Sequence, residues 1–414
     1  GYVMIYPTIQ SERLWRSLME MAEIGQTSGG GVCRLALTDE DLAARELFVK
    51  WCEDARLTIR VDELGNIFAR RAGSDLYAPP VMTGSHLDTQ PLGGRFDGVY
   101  GVLAGLEVVR TLNDAKIETT HPIDVVVWTN EEGSRFPAGC MGSAVFAGQR
   151  DLDVMLNLTD VDGYSVKDEL KRIGFDGPEK CGNVSIKALY EAHIEQGPIL
   201  ENASKTIGVV MSAQGLRCFW VHVSGIEGHA GTLPMDKRRD AFQGAARMAV
   251  AIDNLANTFV PHPVITIGVV NVGPGSRSTI PGTTSFMIDC RCPDEQGLNE
   301  LEDEIKIICK GIAKTRGLEI NIEMISKITP ITFNKDCINS IRNAAEKRKL
   351  EHQDISSGAG HDACHVSFIA PVGMIFIPCE HGISHNETEY ASPSDITAGA
   401  QVLFDVVVGA AKLE

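Results

Sequence analysis

The stretch 79–115, "PPVMTGSHLDTQPLGGRFDGVYGVLAGLEVVRTLNDA", and the run "PIDVVVWT" at 122–129 decide the fold. "PPVMTGSH" and "PIDVVVWT" are continuous apolar runs that end in polar residues, as expected of strands buried in a helix-covered sheet. Between them, "GVYGVLAGLEVVRTLNDA" reads as a helix. Strand, helix and strand in that order make a βαβ unit. The bend that joins the first strand to the helix carries His86, Asp88 and Asp97 around Gly93 and Gly94. A metal site accounts for such a group. A polar turn with a capped helix is the plain alternative.

Outward from this unit the chain falls into two patterns. On the N-terminal side, "SERLWRSLMEMAEIG" and "DEDLAARELFVKWCEDA" read as amphipathic helices, the second capped by Thr38 before an acidic first turn. "LTIRVD" and "GNIFARRA" read as strands. From about 208 to 325 the order changes to strand, strand, helix, strand, strand, helix, strand, a small α+β layer. Helix, strand and helix return in "NKDCINSIRNAAEKRK", "VGMIFIP" and "PSDITAGAQVLFDVVVGAAK". The expected architecture is α/β: a discontinuous domain over 1–207 and 326–414, its mixed sheet covered by helices, with a lid-like α+β domain inserted at 208–325. The length of 414 residues also favours two domains.

Composition narrows the function classes. Hydrophobic residues make up 43% and charged residues 22%, ordinary for a globular protein. A net charge of −17, with no long block of like charge, argues against a nucleic-acid surface. No unbroken apolar run reaches membrane-spanning length, and the opening "GYVMIYPT" shows no signal-peptide pattern, so no membrane partner and a cytoplasmic location are expected. The 11 cysteines are scattered without a C-x-x-C pair. Cys290 and Cys292 share one face of a strand and read as core packing in a reducing compartment.

Four strand ends carry the chemistry. In "SHLD", His86 and Asp88 are two residues apart and point to one side of an extended segment. A carboxylate so placed can hold the second nitrogen of a metal-bound imidazole. The glycine bend lets Asp97 turn back toward His86. In "VVVWTNEEGSRF" an apolar strand runs into Asn130, Glu131 and Glu132. Adjacent carboxylates at a buried strand end repel each other and lose hydration unless a cation offsets them. His193, Glu195 and Gln196 follow the strand-like "IKALYEA", and His381 and His385 sit in a glycine-containing loop after "VGMIFIP". Open α/β sheets place their sites at such strand ends.

With these residues in view, the chain resembles a known family. "GSHLDTQPLGGRFDGVYGVLAG", "TNEEGSRF", "HIEQGPILE", "GHAGTLPMDKRRDA", "TIPG", "DCR", "SGAGHDA" and "GISHNETE" look like the dinuclear-metal amidohydrolases that hydrolyse N-carbamoyl amino acids. β-Ureidopropionase and allantoate amidohydrolase are close relatives of that family, and the two-zinc exopeptidases of the aminoacylase type are more distant ones. The segments come in the right order over nearly the whole chain.

The resemblance implies a zinc-exopeptidase-like catalytic domain and a ferredoxin-like lid and dimerisation domain. It implies two divalent ions, with zinc fitting the ligand set and manganese, cobalt or nickel open. His86, Asp97, Glu132, His193 and His385 are the implied ligands, with Asp97 bridging. Asp88 is implied as the clamp on His86, Glu131 as general base, and His229 as an oxyanion stabiliser supplied through a homodimer. Arg291 matches the arginine that binds the substrate carboxylate. Gln196 and His361 match positions that bind the ureido group or assist the metal site. The chain departs from the pattern at Ser278, where relatives commonly carry asparagine; a single hydroxyl replaces a two-ended amide, which bears on substrate range. The implied reaction is hydrolysis of the ureido C–N bond of an N-carbamoyl-α- or β-amino acid, giving the amino acid, ammonia and carbon dioxide. Allantoate is the implied alternative substrate, with an exopeptidase or a catalytically silent scaffold behind it.

Overall fold

The structure, a computed structural model, describes residues 7–412, so the first six residues of "GYVMIYPT" lie outside it. The chain forms two compact units, Gly1–Met211 with Phe333–Glu414, and Ser212–Thr332. The sequence places these breaks at 207/208 and 325/326.

The first unit is built on a mixed sheet. Its strands run in the order Thr58–Val61, Ile67–Arg71, Ile123–Val127, Val81–Ser85, Ala188–Ile194, Val372–Ile377 and Ile207–Ala213. The four strands from Ile123–Val127 to Val372–Ile377 are mutually parallel, and every residue in them is buried. Burial on both faces is why these segments read as continuous apolar runs. Because they are parallel, their C-terminal ends emerge together; His86 follows one of those ends directly, and Glu131 and Glu132 come just after Trp128, Thr129 and Asn130 at another.

Helices Val99–Ala115 and Pro393–Lys412 pack on the central strands and on each other. Pro393–Lys412 is apolar enough on average to cross a membrane, although Ser, Asp, Thr and Gln interrupt its apolar run. In the fold it is a core helix, with 61% of that stretch buried inside the protein. Thr38 caps the helix Asp39–Asp54, accepting from the Asp41 N–H as its sequence signal predicts.

Strand Ile207–Ala213 corrects the sequence reading. It reads as the first strand of the insertion, yet it hydrogen-bonds antiparallel to Val372–Ile377, with Val209 opposite Ile375. Its partner lies far along the chain, and nothing in the local apolar pattern records which sheet a strand joins.

The second unit is a four-stranded antiparallel sheet in the order Glu319–Ile328, Gly215–Ser224, Thr283–Cys292, Val264–Gly273. Helices Ala241–Asn254 and Glu295–Arg316 complete a βαββαβ, ferredoxin-like chain order. The helices start on the capping side chains of Asp240 and Asp294, and the second ends at Gly317 in the left-handed conformation. Phe219, Val221, Met248, Ile252, Phe286, Ile288, Leu301 and Ile305 form its core. Cys290 belongs to that core, and Cys292 is buried as well.

Candidate active site

His86 lies one residue beyond the strand Val81–Ser85. Its Nδ1 meets the Asp88 carbonyl oxygen at 2.8 Å. A carbonyl only accepts, so Nδ1 carries a hydrogen, and Nε2 is the nitrogen left to meet a metal ion. That Nε2 is buried and has no hydrogen-bond partner among the described residues. Around it stand Glu131 Oε2 at 3.2 Å, Asp97 Oδ1 at 3.5 Å and Glu132 Oε1 at 3.9 Å. His193 repeats the arrangement, with Nδ1 on its neighbour's carbonyl, that of Ile194, at 2.8 Å and Nε2 3.2 Å from Asp97 Oδ1.

On the other side of Asp97, His385 Nε2 is 3.2 Å from Asp97 Oδ2 and 3.3 Å from Glu132 Oε2. Asp97 thus turns one oxygen to His86 and His193 and the other to His385. Two groups result, His86–Asp97–His193 and Asp97–Glu132–His385, each with its ligand atoms within 4.8 Å of one another. Gly98 makes the approach possible. Its φ is +74°, and a Cβ there would lie 2.3 Å from the His86 ring, so a side chain would push the imidazole out of place.

The electrostatics follow from packing carboxylates without water. Burial lowers the His86 pKa, but the charges of Glu131, Asp97, Asp88 and Glu132 outweigh it and carry it well above the ordinary value. Burial raises Asp97, yet the facing imidazoles of His193, His385 and His86 bring it well below the usual carboxylate range. Burial and the Asp97 charge push Glu132 up to about 7. Burial raises Glu131 well above its ordinary value against the opposing charge of His86. His385, hydrogen-bonded to Asp97 and Glu132, rises to about 10.

A cation removes the conflict. Two imidazoles with Nδ1 tied to carbonyls and Nε2 aimed at carboxylates have the tautomer and outer contacts of metal ligands. The donors are nitrogen and oxygen with no thiolate, a set suited to zinc and other divalent ions. The residues therefore fit a metal pair.

Asp88 holds the site by a different contact than a simple clamp on the ring. Its Oδ1 accepts from the Glu131 N–H at 3.2 Å and its Oδ2 from the Glu132 N–H at 3.0 Å, while its main-chain oxygen takes His86 Nδ1. One residue so joins two strand ends. Gln196, with φ +63°, reaches Asp97 Oδ2 at 3.3 Å and Ser384 Oγ at 2.9 Å. His361 lies against His193 with ring centroids 4.5 Å apart, and burial together with the His193 charge lowers its pKa well below the ordinary value.

Two polar residues from the strand-end segments turn elsewhere. Glu195 accepts from the N–H groups of Ile199 and Leu200, and His381 is exposed beside Glu380.

The sequence reading passed over Glu191, Asp362 and Glu389. Glu191 accepts from Ser85 Oγ and the Ala363 N–H. Asp362 accepts from Ser143 Oγ at 2.6 Å. Of these, only Glu191 had a signal: it lies two residues before His193 on a strand and so shares its face.

In the second unit, His229 and Ser278 lie on two hydrogen-bonded turns, with Ala230 N donating to the Ser278 carbonyl at 2.9 Å and Ile280 N to that of Gly228 at 2.8 Å. Arg291, near the end of strand Thr283–Cys292, is held by Asp289 at 3.0 and 3.3 Å.

The profile of peptidase family M20/M25/M40 matches residues 82–408. The chain belongs to this family. Like the rest of the family it is a hydrolase, and it is an amidohydrolase. Within the family, the chain is 45% identical over 405 residues to an N-carbamoyl-L-amino-acid amidohydrolase of Rhizobium meliloti, covering 98% of this chain and 97% of that protein. It is 35% identical to a ureidoglycolate hydrolase of Oryza sativa subsp. japonica, covering 95% of this chain and 84% of that one. Among solved structures, an amidase of the hydantoinase/carbamoylase family from Burkholderia multivorans superposes with a TM-score of 0.91 at 50% identity, covering 98% of this chain and 99% of that chain.

Proposed function

We propose that the protein hydrolyses the ureido C–N bond of N-carbamoyl amino acids with the help of two divalent metal ions. The observation that carries the metal part is the unpartnered Nε2 of His86 facing three carboxylates. The substrate class rests on the similarity to the Rhizobium meliloti amidohydrolase. His86, Asp97 and His193 hold one ion, and Asp97, Glu132 and His385 the other, with zinc the first choice. When bound, the ions supply Lewis acidity toward the carbonyl and make water more acidic.

The side chains do the rest. Glu131 takes the proton of the attacking water and returns it to the leaving nitrogen. The C–N bond breaks to give an amino acid and carbamic acid, which decays to ammonia and carbon dioxide. Asp88 keeps Glu131 and Glu132 in register with His86. Gln196 and His361 orient the ureido group, while His229 stabilises the developing oxyanion. Ser278 sets how the acid group is seated.

Arg291 binds the substrate carboxylate by its two-pronged guanidinium. Arg291→Ala is expected to raise KM for carbamoyl amino acids about 10- to 100-fold with little change in kcat, the loss of one charged hydrogen-bonded contact. Steady-state kinetics checks this, and an unchanged KM removes the assignment.

A homodimer is part of this reading. The edge strand Val264–Gly273 exposes Val264, Val269, Val270 and Val272, a row of apolar side chains beside unpaired main-chain groups that invites a second copy. Sedimentation should return a dimer that Val270→Lys dissociates; a monomeric wild type would sink the idea. Eleven unpaired cysteines support a reducing, cytoplasmic setting.

The similarity to a ureidoglycolate hydrolase favours a second reading, in which the substrate is allantoate or a related ureido acid. Ammonia release from N-carbamoyl-L-amino acids, N-carbamoyl-β-alanine, allantoate and ureidoglycolate separates the two. The protein is loaded in turn with zinc, manganese or cobalt. Release from none of them, with metal demonstrably bound, would move the reading to peptide or N-acyl substrates.

A further inference from the structure

Glu389 lies four residues after His385 in "SHNETE" and is buried, at 3% exposure. Its Oε1 accepts from the Phe96 N–H at 3.0 Å and the Asp97 N–H at 2.9 Å. Its Oε2 accepts from Ser384 Oγ at 2.8 Å. Ser384 precedes His385 and itself accepts from Gln196 Nε2, which also reaches Asp97 Oδ2. One carboxylate is therefore bonded to the backbone of Asp97 on one oxygen and to the loop of His385 on the other.

The Gly93-Gly94 bend is what admits it. A Cβ at Gly94 would stand 2.3 Å from Glu389 Oε1 and 2.4 Å from its Cβ, so the bend leaves room for this side chain alone. His385 has φ +53°, a conformation a histidine seldom adopts unless its surroundings hold it there. Asp97 and His385 come from distant parts of the chain, and Glu389 bonds both segments at once.

The geometry points to Glu389 as a positioning residue that sets the bridging carboxylate of Asp97 and the imidazole of His385 in register for the second ion. This rests on the metal reading given above. Glu389 touches neither substrate nor ion, and it acts by fixing where two ligands stand. Outer contacts of this kind are worth about 10- to 100-fold in metal affinity or activity.

The test uses the full-length protein stripped of metal and titrated with manganese(II) by calorimetry, with electron paramagnetic resonance as the second readout. Two manganese ions that share a carboxylate give a spin-coupled spectrum, which a general loss of stability would not abolish at saturation. Glu389→Ala is expected to weaken manganese binding about 10- to 100-fold and to lose the coupled spectrum at saturating metal, while circular dichroism stays that of the wild type. Glu389→Gln, which keeps one acceptor oxygen, should fall between. Ser384→Ala cuts the link from Glu389 to the His385 loop, together with the Gln196 contact, leaves the bonds of Glu389 to the Phe96 and Asp97 N–H groups in place, and covers the case in which Glu389→Ala does not fold; it should weaken the second ion more than the first.

Wild-type affinity and an intact coupled spectrum in Glu389→Ala would overturn the assignment and leave the metal reading standing. The same result in both Glu389→Gln and Ser384→Ala would do so if the alanine variant is not recovered. A wild type that binds no second ion would overturn both.

Discussion

Glu131→Gln is expected to bind metal close to wild type and to lose about 10²- to 10⁴-fold in turnover, the usual worth of a positioned general base. The two glutamates of "TNEE" part company in the fold. Glu132 turns Oε2 to His385 and lies in the group with Asp97. Glu131 Oε2 faces His86 Nε2 at 3.2 Å, while its backbone carbonyl accepts from Cys140 N at 2.7 Å, so its main chain is fixed on both sides by Asp88 and Cys140. The amide of glutamine keeps that shape and removes the capacity to take and return a proton, along with the charge facing His86. Metal content by elemental analysis, ammonia release and a thermal melt on the same preparation separate the outcomes. Unchanged turnover would remove Glu131 as the base. Lost metal together with lost turnover would make it a ligand instead.

How far the sequence carried the site depends on what kind of partner each residue has. His86, Asp97, Glu132, His193 and His385 are legible because each polar residue breaks an apolar strand or follows a glycine bend, and an α/β sheet gathers such ends in one place. The same pattern also offers Glu195 and His381, which turn elsewhere, so the choice of these five rests on the family resemblance. Asp88 is legible as a member of the site, while its contact is not: its carboxylate bonds the N–H groups of residues 131 and 132, and main-chain partners leave no mark in side-chain spacing.

Glu389 escaped for the same reason, since its role is to accept from two backbone N–H groups nearly three hundred positions away in the chain. It closes the segment "GISHNETE" that carries the resemblance, but only His385 in that segment is given a role there. Strand Ile207–Ala213 shows the limit for the fold. Periodicity identifies it as a strand, and only long-range pairing assigns it to the larger sheet.

Asp97→Asn is expected to go further than Glu131→Gln, because Asp97 is the residue proposed to serve both groups at once. Oδ1 serves His86 and His193, and Oδ2 serves His385. Asparagine keeps one oxygen and turns an NH₂ toward the other group, where it donates into space that a cation needs. The variant should retain less than one ion per chain and hydrolyse nothing measurable.

Stability gives an independent readout. A ligand present at 100 times its Kd stabilises the folded state by about 2.7 kcal/mol, so the melting temperature of the wild type should rise on adding zinc and that of Asp97→Asn should barely move. Proton release gives a third. In the metal-free wild type, hydrogen bonds to Asp97 and Glu132 push the His385 pKa up to about 10, so near neutrality an incoming ion must displace that proton. Metal affinity therefore falls as pH falls. With Asp97 replaced, the largest of those hydrogen bonds is gone, His385 sits closer to its ordinary pKa, and fewer protons leave on binding. Calorimetry in buffers of different ionisation enthalpy reads that number directly. Two ions retained by Asp97→Asn, with wild-type proton release, would show that Asp97 bridges nothing and that the two groups are separate sites.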